Sequence, residues 1–499
     1  MESENQPLPD AALELLARLG TGIEYTESEP DGIVNLTESD VTDDDLGHLV
    51  FYPGFAALDL TMTQITDAGL RFIGEMRSLE NLRLYQTHIT DEGVKELGRL
   101  SRLERLDIGT CPGCFPQGLR PVPAAHVHRN QITNEGLRCL TDMLALRALE
   151  LKATRITDEG LLSCLPEMPQ LQELNLAFLD ITDKGLCAVD GLSWLERINL
   201  SHTAVSYDAI VRLVNEKAHT LVRLNLSNTG VIDAGLAEFP EQSRLQSLSL
   251  LDTGITDEGL RHVARFDRLQ RLRLDMTEVS DDGIRHLAAC EPLQKLELYK
   301  TNVTDTSLIW LSDSRIEHLG LGATSVTDAG MPALTEFADL RSLDLQFTAV
   351  TDNGLRFLSQ ASQLQVLYLE HTAISNAGLS FLIDLPLETL SLNMGISDAG
   401  LNMLSQIQTL KHLAIWHGLE SWQRLAQSES LQVLLIDDSV KDLSPLHKLR
   451  KLKFLLLSGK EFSSTEVARL RLALPECRIK AYRSRVDAIC DFRSLSTRR

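Results

Sequence analysis

The sequence predicts an α/β fold: a right-handed solenoid, or horseshoe, with a parallel β-sheet on its concave face and helices on its convex face. Three observations carry this. A Leu-x-Leu strand signature returns about every 24 residues along most of the 499-residue chain. A threonine follows most of these signatures at a fixed offset. A Thr/Ser-Asp-x-Gly segment then opens an apolar pattern of helical period.

The unit is seen in Leu82-Arg83-Leu84-Tyr85-Gln86-Thr87-His88-Ile89-Thr90-Asp91-Glu92-Gly93-Val94. It returns around Leu248, Leu250, Thr253, Ile255, Thr256, Asp257 and Gly259, and again around Leu343, Leu345, Thr348, Val350, Thr351, Asp352 and Gly354. The first strand leucine falls at 58, 82 and 106, and resumes after an interruption at 149. It continues to 413, and Leu434 and Leu455 follow at shorter steps of 21. Alternation of period two predicts a strand with one buried face, so the x residues point to the concave side.

The threonine column (Thr87, Thr154, Thr203, Thr229, Thr253, Thr277, Thr301, Thr324, Thr348, Thr372) is expected to be buried, its hydroxyls satisfying backbone groups where the chain leaves the strand. The next Thr or Ser suits a helix N-cap. The Asp after it suits the first helical turn, where the dipole favours an anion. The glycine two residues later is expected to let the helix and strand layers approach closely. The Asp column accounts for much of the negative charge, so it reads as repeated capping rather than as an acidic binding face.

The ends read as caps, which a repeat array needs to cover its open core. Residues 1–48 form an N-terminal cap and a first degenerate repeat, with a helix from Ala11 to Leu19 and strands at 22–25 and 32–36. Residues 49–460 are the repeats, and 461–482 are a C-terminal cap with a helix from Val467 to Leu474 and a closing strand. Residues 483–499 read as a tail.

Composition narrows the function. The net charge is −22 and the isoelectric point about 5.0. That excess disfavours nucleic acid and anionic membranes as partners. No basic, apolar leader opens the chain, and no apolar run approaches a membrane span. Eight cysteines in so long a chain are no disulfide framework, and those at 139, 164, 187 and 290 sit inside apolar helical patterns. A cytoplasmic, monomeric protein is expected.

The motif Leu-x-x-Leu-x-Leu-x-x-Thr-x-Ile-Thr-Asp-x-Gly-Leu resembles the cysteine-containing class of leucine-rich repeats, with Thr in the cysteine position. That class occurs in F-box ubiquitin-ligase receptors, and the Thr version resembles large bacterial repeat proteins of the planctomycete type. The likeness covers roughly residues 30–480. It implies a leucine-rich-repeat solenoid, but not a function, because the repeated residues are structural. No separate F-box is visible in the residues before the repeats, so a ubiquitin-ligase role is not expected.

The largest interruption is a loop at 110–131. It carries Cys111-Pro112-Gly113-Cys114 and, further on, His126-Val127-His128. Two thiolates and two imidazoles are the ligand set of a tetrahedral structural zinc. His-x-His on an extended segment puts both rings on one side. A dithiol–disulfide switch and a plain surface loop are the alternatives.

Two concave patches are candidate partner sites. Arg197, Arg223, Arg271 and Lys295 precede successive strand leucines and make a basic column, partly offset by Glu173, Asp275 and Glu297. Tyr299, Phe347, Tyr368 and Trp416, with His371 nearby, put aromatic rings on one face, and exposed rings are frequent interface anchors. No nucleophile–base set, phosphate loop or carboxylate pair stands out, so no catalytic residue is assigned and no cofactor is expected, a structural zinc in the interrupting loop being the one candidate. The expected function is a non-catalytic scaffold that binds a protein. The alternatives are a substrate receptor of a ubiquitin-ligase-like or other enzyme complex, and a metal- or redox-responsive binder acting through the loop.

Overall fold

The computed structural model describes residues 10–19, 21–24, 32–50, 55–110, 130–241, 243–288, 290–392, 396–416, 425–437, 443–459, 462, 464–482 and 485–497. These fall into two compact units that divide at residue 249.

In the first unit the helix Asp10–Arg18 precedes a short strand, Ile23–Glu24, which pairs antiparallel with Ile33–Asn35. From there every step is parallel. Ala57–Asp59, Asn81–Arg83, Arg105–Asp107, Ala148–Glu150, Glu173–Asn175, Arg197–Asn199, Arg223–Asn225 and Ser247–Ser249 align in that order. The register places leucine beside leucine, as in Leu58↔Leu82 and Leu82↔Leu106. Each of these leucines is buried.

The second unit continues the pattern from Arg271–Arg273, through Lys295–Glu297, His318–Gly320, Ser342–Asp344, Val366–Tyr368, Thr389–Leu392, His412–Ile415, Val433–Asp437 and Phe454–Ser458, to Arg478–Tyr482. Both units are thus stacks of strand-plus-helix repeats. Where the step shortens, the return segments are 3₁₀ turns, Leu425–Gln427 and Ser444–Lys448, rather than α-helices.

Three side-chain ladders hold the repeats. Every threonine of the buried column donates to the carbonyl three residues back, as Thr87 does to Leu84 at 2.8 Å and Thr203 to Leu200 at 2.6 Å. Between each such pair lies a residue in the left-handed region, among them Gln86, His202, Phe347 and His371, at φ between 56° and 59°. A non-glycine residue there costs about 1–2 kcal/mol, so the hydroxyl bond beside it offsets strain at every turn.

The second ladder caps the helices: Thr90 Oγ1 accepts from Glu92 N, and Thr351 Oγ1 from Asn353 N. The third is the aspartate ladder. Asp67 accepts from both Thr90 N and Thr90 Oγ1 at 2.7 Å, and Asp257 clasps Ser280 in the same way. Each Asp therefore ties its own helix start to that of the next repeat.

This corrects the expected reason for the glycine column. A Cβ on Gly93 would lie 2.4 Å from Asp67 Oδ1, and one on Gly283 would lie 2.4 Å from Asp257 Oδ1. The glycine makes room for the aspartate of the preceding repeat, not for the strand layer. Ser307 takes the glycine's place in one repeat, and there its N–H and hydroxyl both donate to Asp281.

The interrupting loop is fastened at its base. Thr110 N donates to Lys152 O at 2.8 Å. Asn130 occupies the buried place that threonine holds elsewhere. Its Nδ2 reaches Leu84 O, Ile108 O and Gly109 O at 2.9–3.1 Å, and Thr87 Oγ1 donates to its Oδ1. Residues 111–129, with Cys111, Cys114, His126 and His128, lie outside the described residues.

The chain beyond 482 is not a tail. Arg485–Thr497 is a helix, and Ala488, Phe492 and Leu495 pack it on Ala414, Trp416, Val433, Leu435 and Leu456 of the second unit's sheet.

Candidate functional site

The x residues of both sheets form an outer strand face, opposite the leucine core. In the first unit this face does not carry a free basic column. Arg197 pairs with Glu173, which also holds Arg105 at 3.0 Å, while Arg223 is exposed. Alongside, Asp59 pairs with Arg83 at 3.2 Å. Asp107 stands in register with Glu150, and its carboxyl is pushed up to about 7 by burial and by the nearby charges of Glu150 and Asp59. In the second unit Arg271 is exposed and Lys295 pairs with Glu297 at 3.0 Å. The offset by Glu173 and Glu297 therefore reaches the individual bases Arg197 and Lys295.

The aromatic patch divides. Phe347 is 48% exposed and its ring stacks on that of His371, with centroids 4.1 Å apart. Their left-handed backbones hold both rings at the edge of the strand face. Tyr299 is half-buried on the same face. Tyr368 and Trp416, expected to be exposed, are buried at 7% and 4%. The reason is the C-terminal helix, which lies over them.

That helix builds the most organised polar constellation of the second unit. Strand Ser342–Asp344 and the residues after it present Asp344 and Gln346, and the next strand presents Tyr368 and Glu370. Arg493 enters among them. Its Nη1 donates to Asp344 Oδ2 at 3.2 Å and its Nη2 to Gln346 Oε1 at 3.2 Å. Glu370 Oε1 lies 3.6 Å from Nη2, and the guanidinium carbon lies 4.2 Å from the Tyr368 ring centroid. Burial pushes the Asp344 carboxyl up, while Arg493 opposes this. The guanidinium itself is held firmly protonated by the two carboxylates, against its burial. A planar cation between two acids, an amide and an aromatic face is the arrangement that suits arginine rather than lysine.

Further along, Arg485 pairs with buried Asp437 at 3.2 Å and lies over the Trp416 ring at 5.7 Å. Asp491 turns back to Lys480 at 3.1 Å and accepts from the Tyr482 hydroxyl.

Reading the sequence alone missed Asp344, Gln346, Glu370 and Arg493. The signal was available. Val433-Leu434-Leu435-Ile436 and Phe454-Leu455-Leu456-Leu457 are unbroken apolar runs, unlike the alternating earlier strands. Such runs are the mark of strands buried on both faces, which requires a cover.

Among the described residues there is no group of three or more His, Cys, Asp or Glu that could hold a metal, and no helix is long and apolar enough to cross a membrane.

A leucine-rich-repeat family model matches residues 338–359. A search of curated proteins found no match. Among solved structures, an internalin from Listeria monocytogenes is 20% identical with a TM-score of 0.45, covering 78% of this chain and 98% of that one. A leucine-rich-repeat protein of Leptospira interrogans is 18% identical with a TM-score of 0.40, covering 88% and 94%. The ectodomain of an Arabidopsis receptor kinase, solved with a peptide hormone ligand, is 14% identical with a TM-score of 0.41, covering 95% and 86%.

Proposed function

We propose, from the premise that this chain is a leucine-rich-repeat protein, that it is a non-catalytic scaffold which binds a protein partner on the outer strand face of its second unit. One observation carries this reading. The Phe347–His371 stack is fixed by backbone geometry, exposed, and set beside a cage of acids. Rigid aromatic groups lose little entropy on binding and recur as interface anchors. The acidic balance of the chain favours a partner with basic groups over nucleic acid or an anionic membrane. We infer in addition a cytoplasmic monomer, which the free thiols among the described residues favour as to compartment.

The test is affinity capture from the native cell with the full chain, repeated with Phe347→Ala/His371→Ala. Losing an anchor worth about 2 kcal/mol lowers affinity some thirtyfold, so recovery of a specific partner should collapse. A partner recovered equally by the double variant would overturn the assignment to this face. Co-purifying ligase components would instead mark the chain as a substrate receptor.

A further inference from the structure

The C-terminal helix covers the outer strand face without completing it. Four buried polar atoms on that face, Glu370 Oε2, Ser391 Oγ, Trp416 Nε1 and Ser458 Oγ, have no hydrogen-bond partner among the described residues. A permanent core seldom leaves such a group, because each forfeits its bond to water and gains nothing. Four of them on one strand face mark acceptors and donors that the described part of the helix does not use. The acceptor count points the same way. Asp344 and Glu370 share one guanidinium, so the cage holds more carboxylate oxygens than Arg493 fills.

The helix is also separate from the repeats. It adds no strand to the sheet, and only residues 483 and 484 join it to the strand Arg478–Tyr482. Its contacts are those of a helix docked by one side. Ala488, Phe492 and Leu495 fill the apolar floor, and Arg485 and Arg493 are clasped by acids toward either end. Spacing of four and three residues between the apolar anchors is that of helix-in-groove recognition.

We propose that the helix Arg485–Thr497 is a resident ligand of this groove. The partner the groove fits is then an amphipathic helix of another protein that presents an arginine to Asp344, Gln346, Glu370 and Tyr368. It would also present an aromatic and an aliphatic anchor to the floor beneath Trp416 and Leu435. This rests on the reading that a protein partner binds the strand face, and it names both that partner's chemistry and its regulation. An external helix competes with a tethered one, so apparent affinity falls by the fraction of molecules with the groove open.

The experiment uses the full chain and a fluorescein-labelled peptide of residues 484–499 as probe, read by anisotropy. Arg493→Glu places a third acid in the cage, and Phe492→Ala removes an apolar anchor. Neither residue belongs to a repeat, and circular dichroism checks that each variant stays folded. The wild-type chain should bind the peptide weakly and Arg493→Glu at least about thirtyfold more tightly, with Phe492→Ala between them. A peptide carrying Glu in place of that arginine should not bind the opened chain.

Equal, weak binding by the wild-type chain and a folded Arg493→Glu or Phe492→Ala would overturn the proposal and make the helix a fixed part of the core. Binding that ignores the peptide's arginine would overturn the cage. The peptide assay needs no cellular partner, so it judges the groove even if affinity capture recovers nothing. Conversely, a partner captured equally by the wild-type and Arg493→Glu chains leaves the strand-face reading standing and removes the resident ligand.

Discussion

Gly93 and Gly235 hold the same place in their repeats, yet alanine should act on them in opposite directions. At Gly93 a Cβ would meet Asp67 Oδ1 at 2.4 Å and Leu70 Cδ1 at 2.8 Å. At Gly235 the nearest atom is 3.6 Å away, because Tyr207 stands where other repeats carry aspartate. Gly93→Ala must therefore expel the Asp67 carboxylate from its two bonds to Thr90, each 2.7 Å. Hydrogen bonds to charged groups contribute about 1.5–3 kcal/mol each, and the lower end applies because the displaced carboxylate regains water. The loss is then about 3 kcal/mol, offset by about 1 kcal/mol from replacing a helical glycine with alanine. Gly93→Ala should destabilise by about 2 kcal/mol, and Gly235→Ala should stabilise by up to about 1 kcal/mol. Urea unfolding followed by circular dichroism measures both, using the midpoint of the first transition because repeat arrays can lose two-state cooperativity. In an Asp67→Ala background the same Gly93→Ala change should cost clearly less, the remaining close contact being with the Leu70 side chain. Equal effects at the two glycines, or no rescue by Asp67→Ala, would refute the aspartate ladder as the reason for the glycine column.

Three further outcomes follow from the same structure. Asn130→Ala should cost about 2 kcal/mol, read as a lowered thermal midpoint, because it takes the amide donor from buried Ile108 O, whereas Leu84 O keeps Thr87 Oγ1 and Gly109 O keeps Gln86 N; a negligible shift would show that the loop base is held otherwise. Asp107 has its folded pKa raised to about 7, so the stability tied to its proton is fully present below the ordinary aspartate range and lost as pH rises through about 7. Asp107→Asn should flatten the fall in urea midpoint between pH 5 and pH 8, and an unchanged slope would contradict the assignment. For the interrupting loop we propose a zinc held by Cys111, Cys114, His126 and His128; metal analysis should find about one equivalent, lost in Cys111→Ser/Cys114→Ser, and less than about half an equivalent in the unaltered chain would remove the proposal.

The repeat was legible because each of its parts is local. Period-two leucines, a threonine three residues on and a capping hydroxyl can all be recognised within fifteen residues. What the ladders do between repeats was not legible, since Asp67 acts on a residue 23 positions away. The strand face was legible only where it stays open. Phe347 and His371 lie at the surface as expected, whereas Tyr368 and Trp416 do not. Period two tells which face a residue takes, but not what else covers that face. The cover was readable in principle: Ala488, Phe492 and Leu495 keep helical spacing inside a segment too short to announce itself. Its register against Tyr368 is set by Arg493, and that contact spans the chain from residue 493 back to 344.

Native-state hydrogen exchange of the full chain tests the central claim, that the strand face of the second unit is a binding groove with a resident occupant. Amides of Arg485–Thr497 should open at a free energy well below that of the strand Val433–Asp437 beneath them, without unfolding of the repeats. Equal protection of helix and strand, lost together in one cooperative event, would contradict it.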